Sequence, residues 1–191
     1  IARINRKSTS RLQVKDIPCD DQSTYHHIGM KNTRGVFIFG YEGMRDLAAR
    51  AAPRNLGEIA DLIALFRPKP LKLGLAQNYV LFKNPKLRRL ESSGIMRRIL
   101  SETHGVLLYR EQAMRICREI AGLTCEDADA MITALAAGGK SEISGCEEEF
   151  VRDAVLFGDV DAKKARAVFS NLVDSAACLF SPASRSWLSS R

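Results

Sequence analysis

The side chains best placed to do chemistry lie at one joint in the sequence, where a short apolar run meets an amphipathic helix. Residues 105–109 read GVLLY, which predicts a buried β-strand over residues 106–109. Arg110, Glu111 and Gln112 follow directly, and the helix predicted after them has one apolar face. Charged and amide groups at the end of a buried strand often line a cleft. The alternative is structural, with Glu111 stabilising the helix N-terminus through the helix dipole and Arg110 solvated.

A second set of candidate residues is basic and precedes this joint. Residues 67–98 contain nine Lys or Arg residues and one acid, whereas residues 119–149 contain eight acids and one lysine. The formal net charge of the chain is +7, which favours an anionic partner without naming it. The uneven distribution predicts one end that attracts phosphates and one that repels them. The predicted nucleic-acid-binding residues are Arg67, Lys69, Lys72, Lys83, Lys86, Arg88 and Arg89.

Composition limits the classes of protein to which the chain can belong. Its 191 residues suffice for one domain with a substantial core. The five cysteines include no CxxC pair, and no His lies at zinc spacing from two of them, so reduced thiols are expected and a metal site is not. No apolar run approaches the roughly 20 residues of a membrane span, and we expect a soluble cytoplasmic protein with no membrane partner. The first residue is Ile1, which indicates a piece of something longer.

Hydrophobic periodicity predicts a mainly α-helical fold with two short β-strands, at residues 36–39 and 106–109. Polar side chains that can accept a hydrogen bond from the first turn are expected to cap the helices. The expected N-caps are Asp20 or Asp21, Ser92 or Ser93, Thr124 and Asp161. The predicted helices include residues 23–30, 43–52, 56–66 and 147–157.

Two stretches between the helices have competing interpretations. Residues 69–89 are predicted to be irregular because prolines halt the preceding helix. Tyr79 and Phe82 in this stretch would suit stacking on bases, although anchoring to the core is the better interpretation. Residues 138–141 read GGKS, like the end of a phosphate-binding P-loop, but Ala134 replaces the required earlier glycine and a helix is predicted where a strand is needed. A flexible loop between two helices is the better interpretation.

Several ordered sequence blocks resemble the alpha subunit of bacterial DNA polymerase III, which belongs to the C family of replicative DNA polymerases. The matching blocks are Ile17-Pro18 with Asp20-Asp21, Gly35-Val36-Phe37, Gly105-Val106, Tyr109 with Glu111-Gln112 and Met114, and Ala128-Asp129. The resemblance runs from Ile17 to about Phe180 and corresponds to the family's fingers region with the end of the palm before it. It implies an end-of-palm-like segment and lead-in at residues 1–42, a helical fingers-like domain at 43–180 and a frayed tail at 181–191. It also implies that Tyr109, Glu111 and Gln112 are cleft positions.

The chain departs from the family where phosphates would be held. The family's paired arginines fall on Ile132 and Thr133, and its glycine-lysine-lysine cluster falls on Ala136, Ala137 and Gly138. The family uses palm aspartates to hold two Mg²⁺ ions, and those aspartates lie upstream of the segments present here. We therefore assign no catalytic residue, no metal ligand and no cofactor to this chain. The partners that the resemblance implies are DNA and other replisome subunits.

These observations give three hypotheses for the function. The first is a diverged polymerase fragment that binds nucleic acid through its basic segment and catalyses nothing alone. The second is the fingers part of an active DNA-directed DNA polymerase whose palm is missing from this chain. The third is a helical module that docks other replication proteins.

Overall fold

The computed structural model describes residue 13 and residues 17–84, 94–158 and 160–180. Within these residues the fold is mainly helical, as predicted. The α-helices are α1 (Gln22–Gly29), α2 (Glu42–Ala51), α3 (Leu56–Leu65), α4 (Pro68–Lys72), α5 (Leu75–Lys83), α6 (Gly94–Ile99), α7 (Arg110–Ala121), α8 (Cys125–Ala137), α9 (Lys140–Phe157) and α10 (Ala162–Ala176). A short 3₁₀-helix, Ser101–Thr103, lies between α6 and α7. None of these helices is both long and apolar enough to cross a lipid bilayer.

The chain forms two compact units, Ile1–Ile59 and Ala60–Arg191, with the boundary inside α3. In the first unit α1 packs against α2. The carboxylate of Asp21 accepts a hydrogen bond from the backbone N–H of Ser23, 3.1 Å away, and so begins α1 as predicted.

The predicted strand at residues 36–39 is not confirmed, because this stretch is a series of turns. The hydroxyl of Thr33 donates to the carbonyl of Phe39 over 2.7 Å and closes the turn. Gly35 and Ile38 have φ values of +80° and +66°, which are incompatible with an extended strand. Phe37, which a buried strand would have hidden, is 88% exposed.

The second unit is built around α7, and most of the apolar face of this helix is buried. Ile116, Cys117 and Ile120 have no exposed surface. Helices α8, α9 and α10 pack against α7 and against one another. Helix α6, which precedes α7 in the sequence, also packs against α7. Thr124 and Asp161 cap α8 and α10 as predicted, each accepting a backbone N–H three residues on. Helix α9 begins at Lys140, seven residues before the predicted start.

The prediction of an irregular stretch after residue 68 is wrong for the residues that the structure describes. Pro68 occupies the first turn of α4, where its missing N–H has no intrahelical partner to lose. Gly74, at φ +71°, turns the chain between α4 and α5. Tyr79 is buried, in agreement with its interpretation as an anchor.

The predicted strand at residues 106–109 is also not confirmed, although the segment is extended. It forms a single parallel bridge, between Tyr109 and Phe180, and the described residues contain no β-sheet. The N–H of Phe180 donates to the carbonyl of Leu108, and the N–H of Arg110 donates to the carbonyl of Phe180. The N–H groups of Leu108 and Tyr109 both donate to the side chain of Gln112. The Gln112 side chain therefore accepts two backbone N–H groups that would otherwise bond to a neighbouring strand in a sheet.

Candidate nucleic-acid interface

Gln112 and Tyr109 lie inside the protein at the joint between the extended segment and α7. Gln112 is 7% exposed, and its Oε1 accepts the N–H groups of Leu108 and Tyr109 at 3.0 Å each. Its Nε2 donates to the hydroxyl of Thr103 at 2.8 Å, and that hydroxyl donates to the carbonyl of Val106. All these groups are buried, so Gln112 satisfies backbone that would otherwise be unpaired. The assignment of these residues to a cleft stays a prediction.

Arg110 joins α7 to α8. Its guanidinium donates to Oδ1 of Asp129 through Nε at 2.9 Å and through a terminal nitrogen at 2.7 Å. The same nitrogen donates to the hydroxyl of Thr133 at 2.7 Å. Glu111, half-buried in the first turn of α7, has no hydrogen bond or ion pair for its carboxylate among the described residues. Glu111 is thus the one predicted cleft position whose side chain is not committed to the fold.

A buried carboxylate lies behind this joint. Asp61 has no exposed surface, and its two oxygens accept the hydroxyls of Tyr79 at 2.9 Å and Tyr109 at 2.6 Å. The ring of His104 lies edge-on to that of Tyr79, with the centroids 4.9 Å apart. Asp61 therefore connects α3, α5 and the extended segment from the inside. It is a second reason, besides Gln112, why Tyr109 is fixed in place.

Arg67 is half-buried, and its guanidinium is held by contacts within the protein. Its Nε donates to the carbonyl of Ala64 at 2.7 Å, and a terminal nitrogen donates to the carbonyl of Cys178 at 2.6 Å. The guanidinium carbon lies 4.8 Å from the ring centre of Phe180, a cation–π geometry. Burial lowers the pKa of Arg67 from its ordinary value. These contacts hold the segment before residue 181 against α3 and α4.

The lysines of α4 are placed differently from Arg67. Lys69 and Lys72 are exposed, stand three residues apart on one face of the helix, and have no ion pair within the described residues. Lys83 is half-buried at the end of α5, where a cation interacts favourably with the helix dipole. Lys86, Arg88 and Arg89 lie outside the described residues.

Sequence reasoning missed a cationic groove in the second unit. The groove has a volume of about 940 Å³ and lies between α5, α6, the segment around residue 105 and α10. Arg97 and Lys163 line it, and neither has an ion pair among the described residues. Arg97 belongs to the basic stretch recognised in the sequence, whereas Lys163 is separated from it by more than sixty residues. The only local signal for Lys163 was the pair of adjacent lysines on the exposed face of α10.

The P-loop interpretation of residues 138–141 is wrong. Helix α8 precedes the glycines, where a P-loop needs a strand, and Gly138 is the left-handed C-cap of that helix with φ +82°. A Cβ on Gly139 would lie 2.6 Å from Oε2 of Glu142. The carboxylate of Glu142 therefore occupies the helix N-terminus that a phosphate would approach.

The cysteines and acids complete the inventory of reactive groups. The five cysteines carry free thiols, and burial raises the pKa of Cys117 to about 12, which makes it a poor nucleophile or metal ligand. Across residues 17–84, 94–158 and 160–180, no three acids, histidines or cysteines converge in a way that could hold a metal ion.

Comparisons with known proteins agree with the resemblance seen in the sequence. The family described as the bacterial DNA polymerase III alpha subunit finger domain matches residues 1–157. DNA polymerase III subunit alpha of Pasteurella multocida is 31% identical over 176 residues, which cover 87% of this chain and 15% of the relative. The same subunit of Mycobacterium leprae is 36% identical over 145 residues, covering 73% of this chain and 12% of the relative. That of Aquifex aeolicus is 29% identical over 152 residues, covering 80% and 13%.

The chain belongs to the family of bacterial DNA polymerase III alpha subunit finger domains. It spans between 12% and 15% of the length of these relatives.

Proposed function

We propose that this chain is a diverged fingers portion of a DNA polymerase III alpha subunit, that it binds nucleic acid through phosphate contacts, and that alone it catalyses no nucleotide addition. Residues 1–42 are its end-of-palm-like segment and residues 43–180 its fingers-like domain. Its partners are DNA and other replisome subunits. Family membership supports the replication context, and the whole relatives are named as polymerase subunits.

The observation that carries the nucleic-acid part is the pair of lysines on α4. Lys69 and Lys72 present two ammonium groups from one exposed helix face, with no described acid to neutralise them. Such groups bind phosphates by charge, with no preference for sequence. Their geometry differs from that of Arg67, whose guanidinium is engaged by two carbonyls and an aromatic ring.

The resemblance supports the proposed absence of catalysis by the chain alone. Two-metal phosphoryl transfer needs carboxylates that hold both ions around the reacting oxygens. The resemblance implies that these carboxylates belong to palm segments outside this chain. The carboxylate of the buried residue Asp61 accepts hydrogen bonds from two tyrosine hydroxyls, which is a structural role in the core.

An electrophoretic mobility shift with a primer–template duplex tests the binding, and primer extension with the same duplex tests the catalysis. Retardation of the duplex is expected at low salt and its loss at high salt, since phosphate contacts release counterions. No extension of the primer is expected. The double variant Lys69→Gln/Lys72→Gln is expected to need about tenfold more protein for the same retardation, a loss of about 1.4 kcal/mol.

The matched control removes one positive charge from the acidic stretch at residues 119–149 and one from the residue just before it. Arg118→Gln/Lys140→Gln changes the net charge equally, and both side chains are exposed without an ion pair in the described part of the protein. Retardation by this control should match that of the unchanged chain. Absence of retardation at low salt, or binding insensitive to salt, contradicts the proposal. Primer extension by the chain alone contradicts its catalytic part.

A further inference from the structure

The walls of the groove between α5, α6 and α10 are mostly apolar. They include Phe82 from α5, Val106 from the extended segment and Val168 from α10. The amide side chains of Asn78 and Asn171 lie among these apolar groups. An apolar cleft of this size with a few polar groups is the usual form of a ligand site.

The hydroxyl of Ser175 most directly indicates a ligand. Ser175 lines the groove and is 6% exposed. Its hydroxyl makes no hydrogen bond to any residue that the structure describes. Buried hydroxyl groups nearly always have a partner. This one is therefore available to a molecule that enters the groove.

The charges at the groove indicate that the ligand is an anion. Arg97 on α6 and Lys163 on α10 both line the groove, and each lacks an ion pair in the described ranges. Lys164 and Asp161 also line the groove, but they form an ion pair with each other at 2.8 Å, so their charges cancel. Arg98, the sequence neighbour of Arg97, binds Glu119 and does not line the groove. Two cations from different helices are thus left to face the same space.

We infer that this groove binds an unpaired stretch of a nucleic-acid strand, with its bases against the apolar walls and its phosphates at Arg97 and Lys163. The inference rests on the proposed nucleic-acid binding, and it specifies where on the protein a strand binds and that this strand is unpaired. Unpaired bases offer apolar faces to side chains such as Phe82 and polar edges to amides and hydroxyls such as that of Ser175. A duplex keeps those faces stacked inside and cannot use the walls.

An amphipathic helix of a protein partner fits the groove less well. It would lay apolar side chains against the walls. The hydroxyl of Ser175, which has no partner among the residues that the structure describes, would gain none from such a helix, which is unfavourable for a buried group. A strand of nucleotides supplies the hydrogen-bonding groups, the flat apolar faces and the negative charges together.

Fluorescence anisotropy of a labelled single-stranded oligonucleotide of about twelve nucleotides, titrated with the full chain, measures this binding. Arg97→Gln/Lys163→Gln is expected to weaken binding about tenfold, and to make the slope of log K against log salt shallower by about 1.4, because single strands release roughly 0.7 counterion per phosphate contact. Circular dichroism and the urea midpoint show that each variant is folded.

Two controls separate the groove from general charge. Arg98→Gln/Arg166→Gln removes the same charge from the same two helices, but these side chains pair with Glu119 and Glu147 and do not line the groove. This control should change the affinity less than about twofold. Ala167→Trp fills the groove without changing charge and should weaken binding at least tenfold, leaving only the contacts of the α4 lysines, whereas Ala136→Trp on the exposed side of α8 should not weaken it.

Several results would overturn the inference while leaving the proposed function intact. These are equal weakening by the two double variants, unchanged affinity in Ala167→Trp, or binding of the duplex without binding of the oligonucleotide. Failure to bind either duplex or single strand would overturn both. Selective loss in the groove variants supports the inference.

Discussion

Gln112 was predicted to line a cleft, and the structure shows it serving the backbone. Both of its amide groups are used: the oxygen accepts two N–H groups, and the nitrogen donates to Thr103. The position of Gln112 just after an apolar run did indicate an important residue, because only a side chain that both accepts and donates hydrogen bonds can make these contacts. The sequence did not reveal that Gln112 binds the backbone of the extended segment immediately before it.

Replacing Gln112 by Leu tests this structural role. The variant leaves two buried N–H groups without an acceptor, so the free energy of unfolding is expected to fall by about 2–4 kcal/mol. Urea unfolding measures the change. Glu111→Gln is the control at the adjacent half-buried position, where the carboxylate has no described partner, and its effect should stay within about 0.5 kcal/mol. A Gln112→Leu chain as stable as the unchanged one would refute the role.

At the scale of elements, the helices with polar N-caps were the most predictable. Asp21, Thr124 and Asp161 each accept the backbone hydrogen bond that their position suggested. Elements shaped by distant contacts were not predictable. Prolines that were interpreted as stops begin α4, and the apolar run at residues 106–109 lacks a sheet because Gln112 and Phe180 take its hydrogen bonds.

The junction of α7 and α9 depends on a glycine. A Cβ on Gly158 would lie 2.1 Å from the carbonyl oxygen of Ile120 and 2.9 Å from that of Ala154, and both are backbone atoms. Gly158→Ala is therefore expected to destabilise the protein by at least about 2 kcal/mol. Gly145→Ala, inside α9 with nothing near its Cβ, should instead stabilise it by about 0.5–1 kcal/mol. Thermal or urea unfolding of both variants checks the opposite signs; equal effects would contradict the close approach.

The cap of α10 should make stability depend on pH. The hydrogen bond from the Lys164 side chain, followed by that from its backbone N–H, lowers the pKa of Asp161 below its ordinary value of 3.8. A carboxylate with a lowered native pKa stabilises the fold above its unfolded pKa and loses that contribution as pH falls through the native pKa. The unchanged chain should therefore have a higher urea midpoint than Asp161→Asn at neutral pH.

The unchanged chain and Asp161→Asn should become equally stable at low pH. Asn keeps an oxygen for the cap but cannot titrate, so the two urea midpoints should converge as pH falls below about 4. A difference that stays constant from pH 7 to pH 3 would show that the charge of Asp161 contributes nothing.

At the scale of the whole molecule, the mainly helical class and the family were accessible from the sequence, and the groove was not. Helical periodicity and ordered motif blocks are local signals, and the match to the finger domain confirms the family. The groove brings Asn78 of α5 together with Asn171 and Ser175 of α10. Residues about ninety positions apart share no local pattern, so only the packing of the helices reveals that they face one space.

The salt dependence of binding to a primer–template duplex tests the central claim most directly. The logarithm of the association constant should fall linearly with the logarithm of salt concentration. Because each contacted phosphate of a duplex contributes about 0.9 to the slope, Lys69→Gln/Lys72→Gln should make it shallower by about two. Equal slopes for the unchanged chain and this variant, or no binding even at low salt, would contradict the claim that the α4 lysines bind nucleic-acid phosphates.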